Sequence, residues 1–555
     1  MIDRREPSLA VAAAALIAFA AWAPASVQAQ SPVLEPPAIL AAPSDPPPPL
    51  VMDVKQYVVQ GVTLLPAASI ERALAGLTGT RTAEELHRAA AIVQSMYTQA
   101  GYGAVVVYLP PQDVSAGVVT LRAIEGRLSA VRVEGATPDV PADAVLASLP
   151  ALKRGETPRL DIIDQQLRMA NDNPARRMRL VLLPGQQPEQ TEAEVAVVPG
   201  AVRQASLELD NTGTRSTGRA RMALGWRDAN LSGRDDVVDL RLQFAPEHPR
   251  QFAAVSANYR LPLYEHATLL EAYALASDTR SGRIPTAAGD LQFAGRGYLL
   301  GLRGTHYLSR LRDFDPRVAL SVERREQRNQ CAIGELPDGD CGGATGDLTL
   351  TPLTIEYSIT GDTPSPLALA VAVVQGLPVG GRHADRAAFD ALRPGARPDF
   401  TALRMQASAL RALGTGGWEA GARFAGQWAA QPLVPAMQFG AGGRESARGY
   451  EERELSADHG AALSLELSAP RVRLAAWPGS SWRPLVFADA ASLRNRGDAP
   501  CSGTRVHCEL ASAGLGLRLD ASALSLALDI AQTLHDGGTT TRHRTWGHLW
   551  LRLVH

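Results

Sequence analysis

The part of the chain after Pro199 alternates apolar and polar residues with a period of two. The alternation is clearest at residues 238–244, 463–468, 524–530 and 549–553. Because successive side chains of a β-strand point to opposite faces, each segment has one face suited to hydrocarbon and one suited to water. About sixteen such segments, separated by turn residues, predict an all-β transmembrane barrel of antiparallel strands with a hydrated lumen.

A soluble β-sandwich is the alternative interpretation of this alternation. A sandwich would have fewer than about sixteen strands and would not need an apolar face on every strand. The barrel is therefore the favoured prediction for residues 200–555.

A different pattern precedes the barrel and predicts two small α+β domains at residues 53–125 and 126–199. Thr82 and Glu85 form a capping-box pair, followed by an apolar stripe with helical spacing, which predicts a helix over 82–100. The other predicted helices are 141–149 and 160–169. The predicted strands are 57–65, 105–109, 118–124, 128–133, 178–183 and 193–198.

The first residues are typical of a secretory signal peptide. Arg4 and Arg5 precede an apolar run over 9–22, and small residues stand before a predicted cleavage at Gln30. An N-terminal membrane anchor is the alternative, but the apolar run is short for a membrane span. After the signal at 1–29, a proline-rich stretch predicts an extended linker at 30–52.

Composition narrows the possible functions. The 555 residues carry a formal net charge of -2, which argues against a nucleic-acid partner. The sequence has no GxSxG elbow, HExxH helix or Walker A loop, so we expect neither an enzyme nor a cofactor.

The four cysteines form two close pairs, Cys331 with Cys341 and Cys501 with Cys508. Export favours two local disulfides over a metal site, since the spacing matches no common zinc pattern.

A glycine-rich segment, FGAGGRESARGYE, lies between two predicted barrel strands and carries Arg448. Downstream, Asp489 is an acidic residue in an otherwise apolar strand, two positions after Phe487. An arginine on a long loop can pair with a carboxylate on the wall if the loop folds back into a wide barrel. This pairing favours a protein-translocating pore over an enzyme.

Several motifs now resemble one family, the TpsB transporters of two-partner secretion, within the superfamily of POTRA-plus-barrel outer-membrane translocators. The order and spacing of the motifs carry the resemblance, which covers nearly the whole mature chain. The motifs begin at Gly101, Tyr108, Ile124, Asn171, Leu183, Asp210, Arg448, Phe487 and Gly514.

The resemblance implies that the α+β domains are periplasmic POTRA domains and that the barrel lies in the bacterial outer membrane. It implies an unfolded secreted exoprotein as partner, together with outer-membrane lipid, periplasmic chaperones and the barrel-insertion machinery. By resemblance, a loop in the lumen meets the wall through a set of seven residues. They are Arg448, Gly449, Tyr450, Asp489, Phe487, Gly442 and Gly443.

Capture of the exoprotein is expected at an exposed sheet edge, which can accept an extended chain as one more strand. The candidate edge residues are Val105, Val107, Leu109, Leu180 and Leu182. If the first barrel strand runs outward, both cysteine pairs and the Arg448 segment lie in external loops.

The chain departs from the family pattern in three places. Ala447 is smaller than the residue usual before Arg-Gly-Tyr, and the chain ends in His555 rather than an aromatic residue. Residues 30–50 contain too many prolines for the helical plug of some members.

A barrel-assembly factor of the same superfamily remains the second interpretation, although such proteins usually have more POTRA domains. A passive porin is less favoured, because porins lack them. A barrel-embedded hydrolase would need a serine site that is missing here.

Overall fold

The computed structural model describes residues 51–187, 189–280, 284–286, 289–333, 346–361, 365–475 and 477–555. The signal, nearly all of the linker, Cys341 and the side chain of Cys331 lie outside the described residues. The described chain forms two compact units, one ending at Gly200 and one beginning at Ala201. None of the helices in these ranges is long and apolar enough to cross a membrane.

The first α+β domain packs two helices against a three-stranded sheet of order β2–β5–β4. Thr82 and Glu85 cap helix α2 reciprocally, as predicted. The elements are β1 (Val51–Val54), β2 (Gln56–Gln60), α1 (Ala67–Leu74), β3 (Gly79–Thr82), α2 (Ala83–Gln99), β4 (Val105–Tyr108) and β5 (Val118–Glu125). Helix α1 and the β1–β3 pair were not predicted from the sequence, and the pair begins two residues before the expected boundary.

The second α+β domain repeats this plan with sheet order β6–β8–β7. Its β6 and β8 are parallel and its β7 and β8 antiparallel, which puts β7 at one edge. The elements are β6 (Arg127–Glu134), α3 (Ala142–Ala147), α4 (Leu160–Asn171), β7 (Arg176–Pro184) and β8 (Gln190–Pro199).

The C-terminal unit is a closed antiparallel barrel, and sixteen long strands form its wall. This confirms the predicted strand number. The strands are β9 (Arg203–Asp210), β10 (Arg221–Asp228), β11 (Val237–Phe244), β12 (Phe252–Leu263), β13 (Thr268–Arg280), β14 (Gly289–Tyr307), β15 (Phe314–Ile333), β16 (Pro352–Gly361), β17 (Leu367–Gly376), β18 (Thr401–Leu413), β19 (Trp418–Ala429), β20 (His459–Ser468), β21 (Ser481–Arg494), β22 (His507–Asp520), β23 (Leu524–Thr533) and β24 (Thr545–Val554).

The barrel closes where β24 pairs with β9. Ala205 and His555 exchange both backbone hydrogen bonds at 2.9 Å, and Glu208 lies opposite Arg552. The terminal histidine therefore takes part in the closing ladder through its backbone.

Alternation along each strand separates the lumen from the outer surface. On β21, Phe487 and Asp489 are 5% and 3% exposed, whereas Val486, which points to the opposite face of the same strand, is 48% exposed. On β19, Trp418 and Trp428 both face outward near opposite ends of the strand. Ten residues of strand at a tilt of ~40° give an apolar band roughly 25 Å high, the height usual for outer-membrane barrels.

Three long connections cover the end of the barrel opposite the Arg203 end. They are residues 377–400, which contain α5 (Arg386–Leu392), residues 430–458 and residues 495–506. The middle one, here called the lumen loop, contains a short hairpin of Phe439–Ala441 with Leu455–Ala457. Arg448 lies between the arms of this hairpin.

Candidate functional site

The lumen loop turns back into the barrel at glycines with positive φ. Gly443 has φ +91°, and a side chain there would overlap the carboxylate of Glu452. Gly449 has φ +94°, and its Cβ would lie 3.2 Å from Ala531 and Thr533 on the wall strand β23. Gly442 also has positive φ, at +114°. Gly449 therefore lets the backbone approach the wall closely, whereas Gly442 and Gly443 let the loop fold tightly against its own residues 451–454.

Arg448 is 1% exposed and makes a two-pronged ion pair with Asp489. Its Nε and Nη2 donate to Asp489 Oδ2 and Oδ1, both at 2.8 Å, and its backbone N–H donates to Oδ2 at 3.0 Å. The guanidinium also lies over the ring of Phe487, 3.4 Å from the centroid. Planar bidentate pairing and stacking on an aromatic face both suit arginine better than lysine.

Two further carboxylates, which were not among the predicted site residues, surround the guanidinium. Arg448 Nη1 donates to Glu466 Oε1 at 2.7 Å and lies 3.6 Å from Asp529 Oδ1. Asp529 is shared with Arg518 at 2.8 Å. Both acids occupy the polar positions of alternating segments, and these positions face the lumen as Asp489 does. This parity was a usable signal, because lumenal side chains on strands near β21 can meet the loop.

His548 and Tyr450 fasten the residues that follow Arg448. The backbone N–H of Gly449 donates to His548 Nε2 at 2.9 Å, which requires an unprotonated Nε2. The Tyr450 hydroxyl lies 2.7 Å from the carbonyl oxygen of His535 and 2.9 Å from that of Ala511. The loop is thus joined to β22, β24 and the connection after β23.

Ala447 and the second cysteine pair lie beside this contact. Ala447 is fully buried in an apolar cluster that includes Tyr450, Leu493 and Cys508, so the space that a larger residue would need is filled. Cys501 and Cys508 form a disulfide with Cα atoms 6.1 Å apart. The predicted Cys331–Cys341 pair falls outside the described residues.

The predicted capture edges differ between the two α+β domains. Val105 and Val107 are buried in the first core. Their outward backbone groups are also occupied, because Gln94 on α2 donates to the Val105 carbonyl and accepts from the Val107 N–H, both at 2.7 Å. The structure therefore contradicts the expectation that these residues are open to a partner. Leu109 packs against the same core.

In the second domain the corresponding cap covers less of the edge. Asn171 bonds both backbone groups of Met178, at 2.6 and 2.9 Å. By the parity of the β7–β8 ladder, Leu180 and Leu182 also turn their backbone groups away from β8. Within the described part of the chain, no hydrogen bond reaches those outward groups.

Among the described residues, no group of three His, Cys, Asp or Glu side chains is placed to hold a metal ion.

Two small α+β domains followed by a sixteen-stranded barrel with an arginine loop in its lumen define a POTRA-plus-barrel outer-membrane transporter. The chain belongs to the haemolysin secretion/activation protein family ShlB/FhaC/HecB, whose model matches residues 190–519. Residues 52–126 match the ShlB-type POTRA domain. The POTRA domains are thus periplasmic, the barrel lies in the outer membrane, and the family is one of transporters rather than enzymes.

Relatives and solved structures agree with this assignment. The outer membrane transporter CdiB of Escherichia coli O6:K15:H31 (strain 536 / UPEC) is 26% identical over 435 residues, covering 75% of this chain and 68% of the relative. The solved structure of CdiB from Escherichia coli has a TM-score of 0.76 at 21% identity, covering 95% and 94% of the two chains. CdiB from Acinetobacter baumannii has a TM-score of 0.70 at 17% identity, covering all of both chains. At these identities the structural matches establish the fold.

Proposed function

We propose that this protein captures an unfolded exoprotein in the periplasm through its POTRA domains and secretes it through the barrel lumen. The observation that carries the proposal is the buried Arg448–Asp489 pair inside a barrel wide enough for an aqueous channel. The pair holds a glycine-hinged loop where an exported chain would have to pass.

Capture is assigned to the free part of β7. The N–H and C=O groups of Leu180 and Leu182 offer four backbone hydrogen-bonding sites along one edge. An extended segment can join these groups with little demand on its sequence, while exposed neighbours such as Val181 and Leu183 supply apolar contact. The first domain contributes less, because Gln94 closes the corresponding edge of β4.

Leu182→Pro tests this assignment. Proline removes an outward N–H but spares the β7–β8 ladder, since the N–H of residue 182 does not face β8. We expect weaker binding of the secreted exoprotein, measured with the purified transporter, whereas Leu182→Ala should bind as the wild type does. Equal binding by both variants would contradict capture at β7.

Passage through the lumen requires the loop to move or to line the channel. Arg448 is compensated by carboxylates from three strands, β20, β21 and β23. Removing the arginine leaves buried carboxylates without their cation, which typically costs about 3–5 kcal/mol. The loop should then lose its defined position.

Arg448→Ala is the direct test of the lumen proposal. We expect secretion of the exoprotein to fall at least about tenfold while the barrel still inserts and migrates as a folded, heat-modifiable protein. Arg423→Ala is the matched control, because Arg423 also reaches Glu466 but is about half exposed. Wild-type secretion by Arg448→Ala would refute a transport role for the pair.

Folding of the exoprotein outside the cell is proposed to bias its passage, because no nucleotide-binding motif is present in the sequence. A partner segment that cannot fold outside should stall in the channel. Normal export of such a segment would exclude this source of direction.

A further inference from the structure

The outer surface of the barrel has a groove that the transport mechanism does not use. It has a volume of about 700 Å³ and crosses strands β10 to β15. One register row runs along it, through positions that pair from strand to strand. The row consists of Trp226, Leu240, Ala257, Ala274, Leu300 and Arg324.

Small side chains make the groove concave. Ala257, Ala274 and Ala276 form its floor between larger neighbours such as Leu240 and Leu300. Because barrel strands are tilted, a register row climbs across the membrane. Here it rises from Trp226, near the inner end of β10, to Arg324, which lies nine residues before the outer end of β15.

Arginines surround the outer end of the groove. Arg296 and Arg328 pair across β14 and β15, pointing outward like Tyr298, and Arg280 lies at the end of β13. Arg328 lies 5.9 Å from the ring centroid of Tyr298, the exposed aromatic residue at this level. Arg324 makes hydrogen bonds to Thr351 at 3.0 Å and to the carbonyls of Val379 and Gly380 at 3.4 Å.

The acidic groups at this end only partly neutralise the arginines. Asp278 pairs with Arg280 at 3.0 Å and with Arg296 at 3.3 Å, and Glu326 pairs with Arg328 at 3.4 Å. Four arginines against two carboxylates leave a net charge of +2 on the described residues of the patch. Arg280, Arg296 and Arg328 are each more than half exposed, so their donors remain accessible.

We propose that this surface binds a phosphorylated lipid of the outer leaflet. The phosphate headgroup is held by Arg296, Arg324 and Arg328, and one acyl chain lies over the alanine floor. Guanidinium groups bind phosphate through paired charge-assisted hydrogen bonds, and an aromatic residue at headgroup level is usual in outer-membrane barrels. A lipid satisfies both halves of the surface, whereas a free anion would use only the arginines.

The headgroup half is tested with the full chain purified in detergent. Binding of a diphosphorylated glycolipid and of its dephosphorylated form is measured by native mass spectrometry. We expect the triple variant Arg296→Ala, Arg324→Ala, Arg328→Ala to bind the phosphorylated lipid at least about tenfold more weakly. The control is a second triple variant that loses the same charge at the inner turns, and it should keep wild-type affinity. Its substitutions are Arg310→Ala, Arg312→Ala and Arg473→Ala.

The acyl half is tested with Ala276→Trp, which fills the groove, against Ala488→Trp on the outer face of β21. Only the first should weaken lipid binding. Equal binding of both lipid forms, unchanged binding by the triple arginine variant, or full competition by inorganic phosphate would overturn the proposal. A dimer of the wild type that Ala276→Trp dissociates would also overturn it, since a second copy would then cover the groove.

Discussion

Arg448 shows how a buried charge is tolerated inside a membrane barrel. A guanidinium that is 1% exposed would be costly alone, but every Nη and Nε group here has an acceptor within 3.0 Å. Phe487 covers one face of the group and excludes water from it. The alternation that turns Asp489 inward turns Phe487 inward as well, and the loop above it gives this lumenal phenylalanine a physical reason.

Gly449→Ala tests how closely the loop must approach the wall. The variant combines a positive φ with contacts at 3.2 Å to Ala531 and Thr533, so the loop should be displaced from the lumen. We expect reduced secretion and faster proteolysis at Arg448. Gly497→Ala is the control, because Gly497 also has a positive φ, at +68°, but has open space where its Cβ would lie. This variant should secrete normally.

The first POTRA domain also contains a buried charged residue, Glu125. It accepts hydrogen bonds from the N–H groups of Thr63 and Leu64, at 2.8 and 3.0 Å, and from the Tyr97 hydroxyl at 2.7 Å. Burial alone would raise the pKa of Glu125, but the hydrogen bonds outweigh it, that of the Thr63 hydroxyl first and then those named above, and they lower the pKa below the ordinary value.

The stability that Glu125 provides should therefore be present above the ordinary glutamate pKa of about 4.3 and be lost as the pH falls below it. Glu125→Gln should cost about 1–3 kcal/mol near pH 7 and flatten this pH dependence. Urea unfolding of residues 51–199 measures both effects. Glu71→Gln, at an exposed position, should change neither.

At the scale of elements, periodicity predicted the strands and helices well, because it reports which face is buried. The α2 helix and its Thr82 cap were predicted to within a residue or two. The caps on the sheet edges were not predicted, because Gln94 and Val107 are thirteen residues apart and only the folded helix brings them together. Glu466 was likewise visible only as one polar position among many.

The external loops are joined by one carboxylate. Asp458 is fully buried and accepts from Arg393 at 2.6 Å and from the backbone N–H groups of Leu433 and Arg496 at 2.9 Å. These residues belong to the three long connections that cover the outer end. Asp458 thus holds the loop cover together.

Asp458→Ala should loosen this cover without affecting barrel insertion. We expect greater channel conductance in planar bilayers and greater sensitivity of cells to large antibiotics, because the three loops lose their common acceptor. Asp399→Ala, which removes an exposed carboxylate of the same loop region, is the control. An unchanged conductance for Asp458→Ala would show that other contacts suffice.

For the whole molecule, the seam between β9 and β24 distinguishes a transporter from a barrel-assembly factor. An assembly factor that adds client strands to this edge needs the seam to open, whereas passage through the lumen does not. Ser206 and Val554 face each other next to the hydrogen-bonded pair of Ala205 and His555, a spacing suited to a disulfide. We expect Ser206→Cys with Val554→Cys to cross-link and still secrete the exoprotein. Secretion that is lost when oxidised and restored by reductant would instead favour the assembly interpretation.

The two outward tryptophans of β19 also constrain where this barrel can reside. Their separation fixes a hydrocarbon thickness of roughly 25 Å, several ångströms less than an average bilayer. In a thicker lipid phase, polar residues beyond Trp418 and Trp428 would enter hydrocarbon, or the lipid would have to thin around the protein. Short-chain lipids therefore match the protein best, and the spacing of two indole rings helps to select its membrane.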